Sequence, residues 1–282
     1  MSLNEIPALK LRRIAKPVDV TPEPVRQIPS SRLKLYRGSE DAGKYVSSPF
    51  VTKVEFRLRM ADVPYALDAG APWLGPKGKI PYVEVAPETK DQKATMLGDS
   101  ALIIQHLTGE QTIQDLNANL TASEKSRDLG LRSLLEDKLY FYHVRADTLL
   151  ANRQRLTDFF QMRECWVDNY YLQREQALWA VPYPIRVLVG RSVYKKVTTT
   201  LYGQGVGRYS AAEVDSFRRE IWGSFNDLLE DVRETSGSSD TKAPFWVLGT
   251  AEPTEADISL FSFVASILSA QRSVVVAYTS LS

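Results

Sequence analysis

The sequence has few of the residues that hold metals or form disulfides. Its 282 residues include one cysteine, Cys165, and two histidines, His106 and His143. A single cysteine excludes an internal disulfide framework and a cluster of cysteine ligands, and two imidazoles are too few for a histidine-rich metal site. We therefore expect no metal, a reducing compartment such as the cytoplasm, and a buried apolar role for Cys165.

The sequence also lacks an excess of charge of either sign and a long apolar run. It contains 35 lysines and arginines against 34 aspartates and glutamates, so its charge does not favour nucleic acid as a partner. No stretch reaches the roughly 18 uninterrupted apolar residues that a transmembrane segment requires. Residues 1–32 carry several basic side chains ahead of a run of prolines and are expected to form a flexible N-terminal extension. A weak organelle-targeting leader is the alternative for this segment.

The first third of the chain has the pattern of an α/β domain. Residues 33–37 alternate like a short strand, and residues 49–61 place apolar side chains at the spacing of one helix face. The side chains on that face are Phe50, Val54, Leu58 and Ala61. The later elements of this unit are predicted as a strand at 65–68, a hairpin of 82–85 with 94–97, and a helix at 101–107. The order β-α-β-β-β-α predicts a domain over 33–108 with a four-stranded mixed sheet.

The rest of the chain has a helical pattern. Three sites place a hydroxyl three residues before a carboxylate, which is the capping box of a helix start or its aspartate variant. They are Thr121 with Glu124, Ser210 with Glu213, and Thr254 with Asp257. The predicted helices are 121–150, 155–179, 184–201, 210–234 and 254–270. We expect residues 109–120 to form a linker and residues 121–282 to form an all-helical domain.

Ser48 followed by Pro49 marks the start of the first helix, with the serine hydroxyl at the N-cap. Unpaired N–H groups and the positive end of the helix dipole stabilise an anion at such a position. A thiol whose sulfur accepts a hydrogen bond from Ser48 would lose its proton more readily and become a better nucleophile. The alternative is that Ser48 only caps the helix, which is worth about 1 kcal/mol.

Two further motifs lie where a later strand and a later helix begin. Ile80-Pro81 opens a strand, where a cis bond would turn the backbone of Ile80 outward to pair with a peptide ligand. A trans proline that ends a loop is the alternative. Asp99-Ser100 opens the next helix, where Asp99 could hold an amino group and Ser100 a carboxylate of the same ligand. A simple helix cap is the alternative there.

These three signals, in this order within an α/β unit that precedes a helical domain, make the chain resemble the glutathione transferase superfamily. The resemblance implies a thioredoxin-like N-terminal domain, an all-α C-terminal domain and glutathione as co-substrate. It also implies that Ser48 activates the glutathione sulfur. The residues that it implies bind glutathione are Lys79, Ile80, Pro81, Asp99 and Ser100.

Several longer stretches resemble the branch of that superfamily that contains failed axon connections and the metaxins. They are Ser48-Pro49-Phe50, Leu58–Ala61, Gly75–Pro81, Leu201–Arg208 and Pro253–Asp257. The glycines of 203–207 follow a predicted helix and lack a lysine-serine pair, so we expect them to end that helix and not to cradle a phosphate. Ser48, with Val51 at the position of a second redox cysteine, argues against dithiol chemistry. Tyr36, at the end of the first strand, is a second candidate for the thiol activator.

Two functions stay open at this point. The first is a detoxification enzyme that conjugates glutathione to a small hydrophobic electrophile, or uses glutathione to reduce it, with Tyr140 and His143 as candidates for the second-substrate pocket. The second is a non-catalytic binding or adaptor protein of the failed axon connections and metaxin type. The alternative for Tyr140 and His143, under either function, is that they only pack the domain interface. The resemblance also allows a homodimer, and the mitochondrial surface as an alternative to the cytoplasm.

Overall fold

The structure, a computed structural model, describes residues 32–38, 46, 48–87, 93–145, 195–235 and 244–279, the last ten of these as backbone alone. The first elements are β1 (Leu33–Tyr36), α1 (Pro49–Met60), β2 (Ala66–Asp68), β3 (Tyr82–Val85), β4 (Thr95–Gly98) and α2 (Ser100–Gly109). The later helices are α3 (Ala122–Ser133), α4 (Ala211–Thr235) and α5 (Glu255–Thr279), and residues 195–203 are also helical. Residues 1–31 of the predicted N-terminal extension, the predicted helix 155–179 and Cys165 lie outside the described residues.

The four strands form one mixed sheet in the order β2-β1-β3-β4. β1 pairs parallel with β2 and antiparallel with β3, and β3 pairs antiparallel with β4. A parallel pair needs a crossover connection, which α1 supplies. A 3-10 turn, Pro72–Leu74, is the helical element that the described residues contain between β2 and β3.

The N-terminal core lies between this sheet and two helices on one of its faces. Successive side chains of a strand point to opposite faces, so Leu33 and Leu35 of β1 share the face that α1 and α2 cover. The buried side chains of this core are Leu33, Leu35, Val54, Leu58, Val83, Ile103, Ile104, Leu107 and Ile113. Burial of these side chains holds both helices against the sheet.

The helical part of the chain has a second core and an irregular turn in its first helix. α3 runs directly into a π-helical turn, Leu134–Leu139, and the chain stays helical to residue 145. The N–H of Tyr140 donates to the carbonyl of Leu135, five residues back, which closes this wider turn. The buried side chains of the second core are Leu135, Leu139, Ile221, Phe225, Val247, Leu248, Ala256 and Phe263.

All three predicted helix starts are confirmed. The Glu124 carboxylate accepts hydrogen bonds from the N–H and hydroxyl of Thr121, and Glu213 does the same with Ser210. At the start of α5, Asp257 accepts from the N–H and hydroxyl of Thr254 at 2.8 and 2.9 Å. These hydrogen bonds satisfy donors that a helix start would otherwise leave unpaired.

The predicted fold class, an α/β domain with a four-stranded mixed sheet followed by helices, is confirmed. The glycine segment also ends a helix as predicted, because the helix stops at residue 203 and Gly205 takes a φ of +81°. One detail of the prediction is wrong, because α5 continues to Thr279, beyond the predicted end at residue 270. The ring of Phe50 contacts the helical part of the chain at Tyr140 and Phe263.

Candidate functional site

The strand register brings three separate parts of the chain to one end of the sheet. Tyr82, the first residue of β3, pairs with Tyr36 at the end of β1 and with Gly98 at the end of β4. α1 runs back across the sheet from β1 to its parallel neighbour β2, so the N-terminus of α1 lies at the same end. α2 begins there too, directly after β4. Two helix N-termini and the start of β3 therefore face a common region.

Ser48 is the N-cap of α1 and is half-buried. Its Oγ accepts a hydrogen bond from the Val51 N–H at 3.4 Å, and its carbonyl accepts from the N–H of Thr52 at 3.1 Å. Because the Val51 N–H uses a lone pair of the hydroxyl oxygen, the hydroxyl proton can still be donated to a bound group. The position combines a hydrogen-bond donor with the positive end of a helix dipole.

The Ile80–Pro81 peptide bond at the start of β3 is cis. Pro81 is buried, Ile80 is half-buried and Lys79 is exposed. Gly38, just after β1, lies against Ile80, since a β-carbon at Gly38 would come within 2.7 Å of Ile80 Cδ1. Gly38 also has a φ of +82°, which favours glycine. Sequence reasoning missed Gly38 as a site residue, and its one signal was a glycine directly after a predicted strand.

Asp99 is the N-cap of α2 and is exposed. Its Oδ1 accepts hydrogen bonds from the N–H groups of Ala101 at 3.0 Å and Leu102 at 3.5 Å. The φ of +83° and ψ of 126° are rare for a residue with a side chain and cost about 1–3 kcal/mol. Ser100 is only 4% exposed. The Asp99 carboxylate is thus more accessible to a ligand than the Ser100 side chain.

Tyr36, the second candidate for thiol activator, faces away from the N-terminus of α1. Its position in β1 places it on the sheet face opposite Leu35 and α1. Its ring stacks on Tyr82 at 4.4 Å, and its hydroxyl donates to Glu84 Oε2 at 2.8 Å. Burial and the hydrogen bond to Glu84 both raise the pKa of Tyr36. This geometry leaves Ser48 as the hydroxyl at the start of α1.

The structure separates the two candidates for the second-substrate pocket. Tyr140 meets Phe50, two residues after Ser48, edge to face with ring centroids 4.9 Å apart. His143 lies instead near Trp222 of α4, with ring centroids 6.3 Å apart. Burial, with a smaller contribution from the charge of Arg218, lowers the pKa of His143 to about 3. Tyr140 therefore stands beside the start of α1, whereas His143 is a neutral imidazole packed within the helical part.

Buried charges on α1 form a feature that the sequence reasoning missed. Lys53 and Arg57 are only 3% and 1% exposed. Lys53 Nζ lies 2.6 Å from Oε1 of Glu136 in the π-turn, and Arg57 Nε lies 3.0 Å from Oε1 of Glu255 at the start of α5. Lysine and arginine are among the residues most often exposed, so a sequence pattern gives no sign of such burial.

Within the described ranges no three metal-ligating side chains stand close enough together to hold an ion. In the same part of the chain, no helix has both the length and the apolar character needed to cross a membrane.

Comparisons with known proteins give a consistent set of relatives. The family model described as glutathione S-transferase N-terminal domain matches residues 49–152. The isoprene-epoxide glutathione S-transferase of Rhodococcus sp. (strain AD45) is 26% identical over 193 residues, which are 65% of this chain and 70% of that protein.

Two solved structures are similar over most of the chain. FzlA from C. crescentus is 16% identical, with 83% of this chain and 77% of that chain covered and a TM-score of 0.45. A glutathione transferase family member from Pseudomonas fluorescens pf-5, solved with two glutathione bound, is 12% identical, with 86% of each chain covered and a TM-score of 0.44.

Proposed function

We propose that the chain, in which residues 49–152 match the model of the glutathione S-transferase N-terminal domain, binds glutathione at the sheet end described above and transfers it to a small electrophile. Ser48 holds the sulfur, the backbone of Ile80 pairs with the cysteinyl part of glutathione, and Asp99 binds the amino group of the γ-glutamyl part. Lys79, Pro81 and Ser100 complete the binding surface. No role is given to Tyr36 or His143 in this proposal.

The observation that carries the proposal is the strand register. Tyr82 pairs with both Tyr36 and Gly98, and this places the start of α1, the cis proline and the start of α2 around one region. Each signal alone has a purely structural explanation. Two helix N-termini that face the start of one strand form a site for a ligand with anionic groups, and glutathione has both carboxylates and an ionisable thiol.

The chemistry follows from the surroundings of Ser48. The glutathione thiol gives its proton to solvent, because the Ser48 hydroxyl and the dipole of α1 stabilise the thiolate. The thiolate then attacks an electrophilic carbon. With an epoxide, a carbon–sulfur bond forms, a carbon–oxygen bond breaks, and the released alkoxide takes a proton from solvent. The product is a thioether alcohol, and no oxidant or reductant is needed.

Two observations favour an apolar epoxide as the first electrophile to test. The side chains beside the start of α1 are aromatic, since Phe50 contacts Tyr140 and Phe263. The Rhodococcus relative that is 26% identical is named for an epoxide of isoprene. An apolar wall next to the thiolate excludes water from the reacting carbon and suits a small hydrophobic substrate.

Ser48→Ala should lower conjugation of glutathione at neutral pH by about ten-fold or more, because it removes a hydrogen bond that only the thiolate strongly needs. Ser210→Ala is the matched control, since Ser210 caps α4 as Ser48 caps α1, away from the site. Both variants should lose about 1 kcal/mol of unfolding free energy. Equal turnover by the two variants would show that Ser48 is only a cap.

Asp99→Asn tests the binding of the γ-glutamyl amino group, because asparagine caps a helix as well as aspartate does but carries no charge. Calorimetric titration should show about ten-fold weaker glutathione binding than in the parent protein. A glutathione analogue without the amino group should bind the parent and Asp99→Asn equally. If the parent protein itself gives no heat with millimolar glutathione, the proposed function is wrong.

A non-catalytic binding protein of the same fold is the second candidate, and one observation favours it. Trp73 and Leu74, in the 3-10 turn that leads to β3, are 59% and 67% exposed. Exposed large apolar side chains on a turn commonly mark a surface for a partner. Glutathione binding without turnover of any electrophile would support this candidate.

A further inference from the structure

α1 contacts the helical part of the chain through three levels of side chains on one face. Phe50, Lys53 and Arg57 follow each other at spacings of three and four residues, which places them on one side of the helix. Their partners on α5 run the opposite way along the chain: Phe263 lies beside Phe50, and Glu255 beside Arg57. We call this set the α1 face contacts.

The middle level joins three helical segments at a single oxygen atom. Glu136 Oε1 lies 2.6 Å from Lys53 Nζ and accepts a hydrogen bond from Ser259 Oγ at 2.7 Å. Lys53 belongs to α1, Ser259 to α5, and Glu136 to the π-turn that follows α3. The Lys53 ammonium is almost fully buried, so a charge-assisted hydrogen bond of this kind is strong and fixes the geometry of both partners.

The π-turn connects this level to the aromatic level beside Ser48. The turn ends where the N–H of Tyr140 donates to Leu135, and the ring of Tyr140 is the one that contacts Phe50. Glu136 and Tyr140 are thus held by the same turn and contact α1 at Lys53 and Phe50. π-turns inside α-helices often occur at functional sites, and this one contacts one face of α1 at two successive levels.

From these contacts we propose that Glu136, with Lys53, is a positioning pair for the glutathione site, which aligns the first turn of α1 and its Ser48 against the aromatic wall of Phe50 and Tyr140. The inference rests on the proposed function, since it assigns a role in glutathione chemistry to residues that do not touch glutathione. Arg57, about one turn after Lys53 and further from Ser48, forms a buried ion pair of the same kind with Glu255.

Because Lys53 and Glu136 carry opposite charges, variants of the two residues can distinguish alignment of Ser48 from a direct effect of charge on the thiol. Lys53→Met removes a positive charge near the thiolate, whereas Glu136→Gln removes a negative one. If the pair acts only through its charges, these variants shift the pKa of the bound thiol in opposite directions. If the pair acts by alignment, both variants raise the thiol pKa, because both weaken the contact between Ser48 and sulfur.

The experiment measures the ultraviolet absorbance of the glutathione thiolate against pH in complexes of each variant, together with kcat and KM for an epoxide. We expect both variants to raise the thiol pKa by about half a unit or more and to lower kcat by about ten-fold, with a smaller change in KM. Glu136→Asp keeps the negative charge on a shorter side chain. Its thiol pKa and its kcat should therefore lie between those of Glu136→Gln and the parent protein.

Arg57→Met and Glu255→Gln are the matched controls, because they break a similar buried ion pair and should lose as much stability. The proposal holds if these controls leave the thiol pKa unchanged. Opposite shifts in Lys53→Met and Glu136→Gln, equal shifts in all four variants, or no shift in any variant would each overturn it. If Glu136→Gln does not fold, Ser259→Ala removes one hydrogen bond to the same oxygen and should give a smaller rise.

A readout without ligand separates this inference from the proposed function. Fluorotyrosine incorporated throughout the protein gives a fluorine NMR signal for position 140, which Tyr140→Phe identifies. That signal should move in Lys53→Met and Glu136→Gln but stay in place in Arg57→Met. If it moves but the parent protein binds no glutathione, the alignment is real and the proposed function is wrong. If glutathione binds but the signal stays in all variants, the inference is wrong.

Discussion

His143 shows how position changes the chemistry of a residue. The side chain packs near Trp222, and its Nε2 is buried without a hydrogen-bond partner among the described residues. Burial, and to a lesser degree the charge of Arg218, lowers its pKa from 6.5 to about 3. The folded protein therefore holds the neutral imidazole, which fits a packing role and not that of a base in contact with a substrate.

The shifted pKa of His143 predicts a loss of stability in acid. Unfolded chains take up a proton at this residue below about pH 6.5, whereas the folded chain does so only near pH 3. The contribution of neutral His143 to the unfolding free energy is fully present above pH 6.5 and is lost as the pH falls. Relative to His143→Gln, the parent protein should lose about 2–3 kcal/mol of unfolding free energy between about pH 7 and about pH 4.5.

Urea unfolding at several pH values measures this difference, and His106→Gln is the control for loss of the other histidine. A pH dependence in His143→Gln that matches the parent would contradict the prediction. A parallel change in His106→Gln would show that the effect does not depend on burial at position 143.

At the scale of a single element, Asp257 stabilises the start of α5. Its Oδ2 accepts from the N–H and hydroxyl of Thr254, and its Oδ1 accepts from the N–H of Val247 at 2.7 Å. One carboxylate thus caps the helix and fastens the preceding loop to it. Both oxygens have donors, and an amide has only one oxygen to offer.

Asp257→Asn should therefore lower the unfolding free energy by about 1–3 kcal/mol, because its NH2 group would face an N–H donor. Glu124→Gln is the matched control, since Glu124 accepts from Thr121 at an exposed helix start. We expect that control to cost less than about 1 kcal/mol. The measurement is the urea midpoint with an unchanged m-value, and equal losses in the two variants would contradict the prediction.

α1 joins the two halves at the scale of the whole molecule. One side packs Val54 and Leu58 into the core of the sheet, and the α1 face contacts hold the helical part. The Arg57–Glu255 pair stands at the far end of these contacts from Ser48. Burial raises the pKa of Glu255, and the charge of Arg57 opposes this rise. The pair ties the stability of the interface to the charge of one carboxylate.

Arg57→Met should destabilise the whole protein by about 3–5 kcal/mol near pH 8, because it leaves the Glu255 carboxylate buried without its cation. A carboxyl whose folded pKa is raised stabilises the fold at low pH, and this is lost as the pH rises through the folded pKa. The loss should therefore be smaller near pH 5. The double variant Arg57→Met/Glu255→Gln should recover stability at high pH. Urea unfolding at both pH values checks this, and an equal loss at both would contradict it.

The sequence predicts a structural feature well when the residues that determine it are close together in the chain. The helix starts at Thr121, Ser210 and Thr254 were predicted to the residue, because a capping box lies within four residues and needs no distant partner. The end of α5 was not predicted, since no proline or glycine stop signal determines it. The contact of Phe50 with Tyr140 was not predicted, because spacing shows that residues share a face but not which neighbour covers it.

The residues of the candidate site likewise fall into those that a local motif identifies and those that only tertiary packing brings together. Ser48, Pro81 and Asp99 were singled out from element starts and from the resemblance, and their roles with glutathione stay predictions. Lys53 and Glu136 could not be found, because they are 83 residues apart and each reads as a surface charge. Only the packing of α1 against the π-turn and α5 buries them together.

The sequence by itself determined where the elements begin, their order, and the residue types at each helix start, since caps, alternation and helical spacing act over a few neighbours. The tertiary structure alone decided that three of those starts meet at one end of the sheet, that Tyr36 faces away from Ser48, and that charges on α1 are buried in pairs. The reason is that register and burial depend on contacts between residues far apart in the chain, which no local pattern contains.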